Sequence, residues 1–302
     1  MSRLFAALFL LTASFTAAAS PYTPARASNA PKAMEARKTA DGTVEYVVTN
    51  APAAADSWGN AAGNQYDLVV DGAFEGQTVA VLHLYTGEGF DFSLPKAALG
   101  EKGFNVVRWV NQPPPVEELQ AGLAKSSQLW VVSGPGRTLT DAHLDVIDEF
   151  FDSGRGVYIW GDNEPYYADA NAVADRLFGG RMTGNLPGTV TVGVQHEAGK
   201  PGVARGHDIT TGLEHLYEGV TIATLDAHPK LQPLVVGSAG NVVTAVYDHD
   251  GKRAVLDGGF TRLFINWDTA GTSRYVKNAA AWLVNYERFG EAVLPKEPLA
   301  TR

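Results

Sequence analysis

Residues 78–85 read TVAVLHLY, and this stretch decides the fold. It is short, rich in β-branched residues and apolar at nearly every position, as a strand covered on both faces must be. Three more strand candidates follow at 104–110, 128–132 and 156–160, with a helical segment after each. The helix expected over 93–102 has Ser93 at its N-cap and Gly103 beyond its end. The next, 115–125, opens on Pro115 with Glu117 and Glu118 where the helix dipole favours negative charge. Thr140 caps a helix that runs to Asp152, with Leu144, Ile147 and Phe151 on one face and Gly154 as its stop. A fourth helix is expected over 169–178. Four βα units at this spacing predict a flavodoxin-like α/β fold: a doubly wound, mostly parallel sheet with helices on both faces.

Outward from this centre the pattern loosens. After Gly179 the strand candidates are 189–194, 220–225, 234–236, 242–247 and 253–256, the last two joined by a hairpin turn at 247–252. A closing helix over 273–289 places Val276, Ala279, Ala280, Leu283 and Val284 on one face. Residues 78–289 therefore form the main domain and 290–302 a tail. On the other side, 43–77 holds two short strand candidates, 44–49 and 66–70. That region is too small for a core of its own and reads as a β arm packed on the domain. Residues 20–42, rich in Ala, Pro and Ser, read as a flexible leader.

The first nineteen residues read as an address. Arg3 supplies a positive start, residues 4–11 an apolar stretch, and Ala17-Ala18-Ala19 a small-residue cleavage site before Ser20. Ala25-Arg26-Ala27 before Ser28 offers a second site. The apolar stretch is shorter than the ~20 residues a spanning helix needs. The expectation is a protein exported to the periplasm or beyond, without a transmembrane segment. The chain has 302 residues, 24 Lys plus Arg against 33 Asp plus Glu, and a net charge of −9. No basic run offers a path for phosphates, so nucleic acid is not an expected partner. The absence of cysteine excludes disulfides and every thiol nucleophile.

In an open α/β sheet ligands gather beyond the carboxyl ends of the strands. The loops due there are 86–89, 133–137, 161–164 and 257–262. The densest is GDNEPYYADAN, residues 161–171, which offers Asp162, Asn163, Glu164, Tyr166, Tyr167, Asp169 and Asn171 as ligand contacts. Arg137 and Arg262, near neighbouring strand ends, could hold an anion. No cofactor is called for; the oxygen-rich loop suits Ca²⁺ in composition but not in spacing. The structural alternative is that Asn163 and Glu164 make a turn and Asp169 caps a helix. Dinucleotide, P-loop, nucleophile-elbow and zincin patterns are all missing. His207, Asp208 and His215 have no spacing that fixes them on one helix face.

The segment 157–178, a strand with a Gly-x-x tip and then a helix, resembles the class I glutamine amidotransferase-like superfamily. Gly206-His207-Asp208-Ile209-Thr210-Thr211-Gly212-Leu213 is similar to a His-Pro-Ile-Thr-x-Gly-Leu stretch of its ThuA-like and intraflagellar-transport-type branches, with Asp208 in place of the proline. In catalytic members the tip is Gly-x-Cys and a His follows a later strand. Here those places hold Gly161-Asp162-Asn163 and Asp257-Gly258-Gly259. The resemblance thus implies the fold without the glutaminase reaction, because an amide is no nucleophile for a carbonyl. Together these readings predict an exported, noncatalytic binding protein with its site at 161–171. Its partner would be a small molecule, a carbohydrate or another exported protein. The alternative is a hydrolase or isomerase of carbohydrates or other small molecules, with Asp162 and Asp169 as acid and base.

Overall fold

The computed structural model describes residues 20–85, 87, 89–267 and 270–296; the expected signal peptide, 1–19, lies outside the described residues, as do Thr86 and Glu88. The strands are β1 (Lys32–Lys38), β2 (Val44–Pro52), β3 (Thr78–His83), β4 (Asn105–Val110), β5 (Gln128–Val132), β6 (Gly156–Trp160), β7 (Met182–Pro187), β8 (Thr191–Gly193), β9 (Gly202–Val203), β10 (His215–Tyr217), β11 (Thr221–Leu225), β12 (Leu231–Val236), β13 (Val242–His249) and β14 (Lys252–Asp257). The helices are α1 (Ser93–Glu101), α2 (Val116–Leu123), α3 (Asp141–Asp152), α4 (Ala168–Phe178), α5 (Thr272–Leu283) and α6 (Tyr286–Phe289).

Eight strands form one sheet in the order β4-β3-β5-β6-β14-β13-β12-β9. The first five run parallel, and the last three continue the sheet antiparallel. This is the α/β sheet that the βα alternation predicts. The period-2 pleat explains the run TVAVLHLY: Val79 and Val81 enter one core with α1 and α5, while Ala80 and Leu82 enter a second with α2, α3 and α4. Both faces are thus apolar, and the strand is buried from Val79 to His83. Thr140 caps α3 in a box closed by His143, whose Nδ1 accepts from the Thr140 amide.

Several boundaries differ from expectation. Ser93 does not cap α1; Phe92 is the N-cap, and the Asp91 carboxylate accepts from the Ser93 amide instead. The strand expected at 66–70 is a 3-10 turn, Asn64–Tyr66, followed by a single bridge from Val69 to Tyr22. Asp67 turns inward there to meet Lys102, Arg274 and Lys277. The closing helix breaks at Asn285, in left-handed backbone at φ 58°, whose amide donates to the carbonyls of Gly154 and Gly251. The tail starts ordered: residues 290–293 form a 3-10 turn and Val293 is buried, while 297–302 lie outside the described residues.

The leader is folded as well. β1 pairs with β2 as an antiparallel hairpin, and residues 21–29 lie along the domain with Pro21, Thr23, Ala25 and Asn29 buried. Their partners sit some forty to two hundred and sixty residues away, beyond what local composition can reveal. Among the described residues, no helix is long and apolar enough to cross a membrane.

Candidate functional site

Three strand ends converge at the carboxyl edge of the sheet. β3 runs on into Leu84 and Tyr85, β6 into Gly161 and Asp162, and β14 into Gly258, Gly259 and Phe260. The Gly161 amide donates to the Asp257 carbonyl and the Phe260 amide to the Gly161 carbonyl, so the last two ends are stitched together. Gly161 gives close packing: a Cβ there would lie 2.4 Å from the Met182 sulfur and 3.1 Å from the Tyr167 Cβ, so a larger residue would displace the Met182 side chain.

A buried polar network forms the floor. Asp257 receives Arg262 at 3.0 Å, the Tyr275 hydroxyl at 2.6 Å and the Tyr158 hydroxyl at 3.2 Å, and its other oxygen accepts from the Gly259 amide. Arg262 also donates to the Glu218 carbonyl. Burial and the neighbouring Asp257 carboxylate push the Tyr275 hydroxyl well above its ordinary pKa, so it stays a proton donor. Arg262 is fully buried and spent on Asp257. It does not project into the crevice as an anion contact.

Asp162 stands above this floor and is treated differently. It is only 6 % exposed, and its Oδ1 is buried with no hydrogen-bond partner. Burial raises its pKa to about 7, with Asp257 adding repulsion, while the Asn163 amide and Arg262 pull the other way. At neutral pH this group sits near its midpoint and can either accept or donate a hydrogen bond. Aromatic rings rim it. Tyr85 meets Tyr166 edge-on at 5.6 Å and Phe260 at 4.9 Å, and Phe90 and Phe264 extend the cluster. Burial, then the proximity of Tyr166 and Asp162, raises the Tyr85 pKa. Tyr85 and Tyr166 are half-buried, and the Tyr166 carbonyl accepts from the Asp162 amide.

The remaining candidates are divided between the crevice and the scaffold. Asn163, at the place of the family's nucleophile, accepts from the Thr221 hydroxyl at 2.7 Å and donates to the Glu164 carbonyl. Glu164 is exposed and Tyr167 half-buried as the residue before α4. Asn171 holds β7 by both its amide atoms, donating to the Met182 carbonyl and accepting from the Met182 amide. Arg137 pairs with Asp141 and donates to the Leu139 carbonyl.

Asp169 departs most from expectation. It is fully buried and accepts from the Thr138 amide, the Thr138 hydroxyl and the Leu139 amide, each at 2.9 Å. It lies in the first turn of α4 and clamps the loop after β5, neither capping the helix nor facing the crevice. The expected Asp162–Asp169 pair therefore does not form. His207, Asp208 and His215 also part: His207 packs at a tilt against Trp282, Asp208 pairs with Arg26, and His215 lies beside Gly59. No three His, Asp or Glu side chains among the described residues come together as a metal site. Tyr85 and Phe90 were invisible as site residues in the sequence, because one closes a strand run and the other follows a loop.

Open grooves elsewhere are lined differently. One of about 390 Å³ sits at the base of the hairpin against Ala30, Pro31, Pro52 and Ala53. Another, of about 210 Å³, lies at the amino ends of the strands near Gln77, Ser127 and Arg155. Neither contains Asp162.

No family model matches this chain, and no curated protein does. Among solved structures it is similar to a ThuA-like protein from Parabacteroides merdae, at 13 % identity and a TM-score of 0.45 over 70 % of this chain and 90 % of that one. A GMP synthase component from Thermoplasma acidophilum is similar at 9 % identity and a TM-score of 0.40, over 71 % and 96 %. An exo-β-1,4-mannosidase from an Opitutaceae bacterium matches at 12 % identity and a TM-score of 0.40 over 74 % of this chain. This chain spans 37 % of the length of that mannosidase.

Proposed function

We propose that this chain is an exported, noncatalytic binding domain of amidotransferase-like architecture, with its ligand held at the tip of β6. The observation that carries the reading is the buried, unpartnered Oδ1 of Asp162 at the end of β6, next to Tyr85, whose ring meets Tyr166 edge-on. A buried polar atom without a partner costs roughly 1–3 kcal/mol. A ligand hydroxyl supplies the missing bond, and tyrosine rings suit the mixed apolar and polar faces of a sugar. The ligand class that fits is a neutral, hydroxyl-bearing small molecule such as a carbohydrate. A negative charge on the ligand would find no free counter-charge here, since Arg262 is held by Asp257.

Glutaminase chemistry and a mechanism with two carboxylates lack their parts among the described residues. There is no thiol in the chain, Asn163 is engaged with Thr221, and Asp169 is engaged with the 138–139 loop. General acid–base catalysis by a carboxylate pair needs both members at the substrate, and only Asp162 is at the crevice. Export rests on the Arg3, apolar and Ala17-Ala18-Ala19 pattern of the sequence.

The test is a thermal-shift screen of neutral mono- and oligosaccharides, followed by calorimetric titration of any stabilising compound. A true ligand raises the melting temperature with concentration. Both effects should vanish in Asp162→Ala and weaken in Tyr166→Ala. Binding that survives Asp162→Ala would place the site elsewhere, and turnover of the bound sugar would make the protein an enzyme.

A further inference from the structure

Two peptide bonds in the N-terminal region carry small-residue cleavage patterns, Ala19–Ser20 and Ala27–Ser28. The sequence does not choose between them. The folded segment that follows Ala19 does. The Pro21 carbonyl accepts from the Val70 amide, and the Thr23 amide donates to the Leu68 carbonyl, so Tyr22 and Val69 pair as a short bridge. The Thr23 hydroxyl donates to the Asp67 carbonyl at 2.5 Å. The Tyr22 hydroxyl donates to Glu287 at 2.5 Å, and its ring packs edge-on against Tyr286.

Arg26 then spans two distant elements. It pairs with Asp208 at 2.8 Å and Glu287 at 2.7 Å while its guanidinium stacks 3.6 Å from the centre of the Tyr22 ring. Arg253 closes the group from the far side, 2.9 Å from Glu287. Although burial works against it, the Tyr22 hydroxyl and the Arg253 charge hold the Glu287 pKa near 2. The bond Ala27–Ser28 lies inside this fabric. The Ser28 amide donates to the Ala25 carbonyl, closing a turn with Ala27 in left-handed backbone at φ 59°, and the Ala27 amide donates to Thr211.

We propose that the chain is matured between Ala19 and Ser20, and that residues 20–29 then act as a strap joining the 67–70 loop, the 207–212 turn and α6. Cutting at Ala27–Ser28 would remove Tyr22, Thr23, Ala25 and Arg26 together. It would leave Asp208 without its cation and Glu287 with Arg253 alone. The inference rests on the export reading above, but a different observation decides it.

The experiment expresses the full 302-residue chain in a Gram-negative host and measures the intact mass of the protein recovered from the periplasm. The expected mature chain begins at Ser20. A chain beginning at Ser28 would overturn the proposed site while leaving export intact. A chain that keeps Met1 and stays in the cytoplasm would overturn both. Independently, chains starting at Ser20 and at Ser28 are purified and melted. The shorter should unfold at a clearly lower temperature, and Arg26→Ala in the longer chain should reproduce part of that drop. Equal melting of the two chains would show that the strap contributes nothing and remove the reason for the choice.

Discussion

Asp67 and Asp162 are both buried aspartates, and their surroundings are opposite. Asp67 is fully buried and meets Arg274 at 2.7 Å, Lys102 at 2.9 Å and Lys277 at 2.9 Å. Lys102 also reaches Asp71, and Lys277 reaches Glu101, so three carboxylates balance three cations in one cluster. That cluster ties the 64–71 loop to the end of α1 and the inner face of α5. Asp162 has no such company; the arginine beneath it belongs to Asp257. Where every charge is matched, the fold is being held. Where a buried carboxyl keeps an open lone pair, the fold carries an uncompensated cost.

The contrast is broken most forcefully at Asp67. Against the cost of its burial, Lys102, Lys277 and Arg274 hold its pKa below the ordinary carboxylate range. Asp67→Ala removes the carboxylate shared by Lys102, Lys277 and Arg274, leaving Asp71 and Glu101 to two of them and only carbonyls to Arg274, and should cost about 3–5 kcal/mol, the usual penalty for breaking a buried pair. Denaturant unfolding followed by circular dichroism measures this, with the midpoint expected to fall sharply. The pH signature follows from the sign of the shift. A depressed carboxylate contributes fully above its unfolded pKa of about 3.8, and that contribution is lost as pH falls through the folded value. A variant as stable as the parent would mean that the cluster's charges merely tolerate one another.

Asp162 should give the opposite slope. Its folded pKa of about 7 lies above the unfolded 3.8, so between these values the folded state holds a proton that the unfolded chain has released. Stability is therefore fully present below about 3.8 and declines as pH rises toward 7. Asp162→Asn removes this titration. At neutral pH it should gain about 2–4 kcal/mol, since each pKa unit is worth about 1.4 kcal/mol. Melts at pH 4, 5.5 and 7 measure the change. The parent should lose melting temperature across this window relative to the variant, and two parallel curves would show that Asp162 is ionised and satisfied after all.

Why was one of these aspartates legible in the sequence and the other not? Asp162 follows a five-residue apolar strand and a glycine, so its place at the strand end comes from local pattern alone. Asp67 lies 35 residues from Lys102 and 210 from Lys277, and nothing in the spacing joins them. The same divide runs through the fold. The apolar runs of β3, β5 and β6 and the Thr140 cap are local signals, and the structure contains them. The strap at 21–29, the bend at Asn285 and the rim of Tyr85 and Phe260 depend on partners distant in sequence. At the candidate site, side-chain identity was readable, but direction was not. Asp169 is the same residue type in the same 161–171 segment as Asp162, yet its place in the first turn of α4 points it at the loop after β5.

Asp169 supplies the smallest and most discriminating change. Its carboxylate accepts three hydrogen bonds from Thr138 and Leu139, while its own amide and that of Ala170 donate to the Ser133 hydroxyl. The two segments are thus clasped in both directions, and no lone pair is directed at a ligand. Asp169→Asn keeps the shape and one acceptor oxygen, which can still receive both backbone amides. Only the Thr138 hydroxyl then faces an –NH₂ group, and it can rotate to accept from it. The loss is the difference between charged and neutral hydrogen bonds, about 1 kcal/mol. A thermal melt should move down slightly, and sugar affinity should not move at all. If affinity fell while the melt stayed in place, Asp169 would be a ligand contact, and the distinction between satisfied and open carboxylates would not separate scaffold from site.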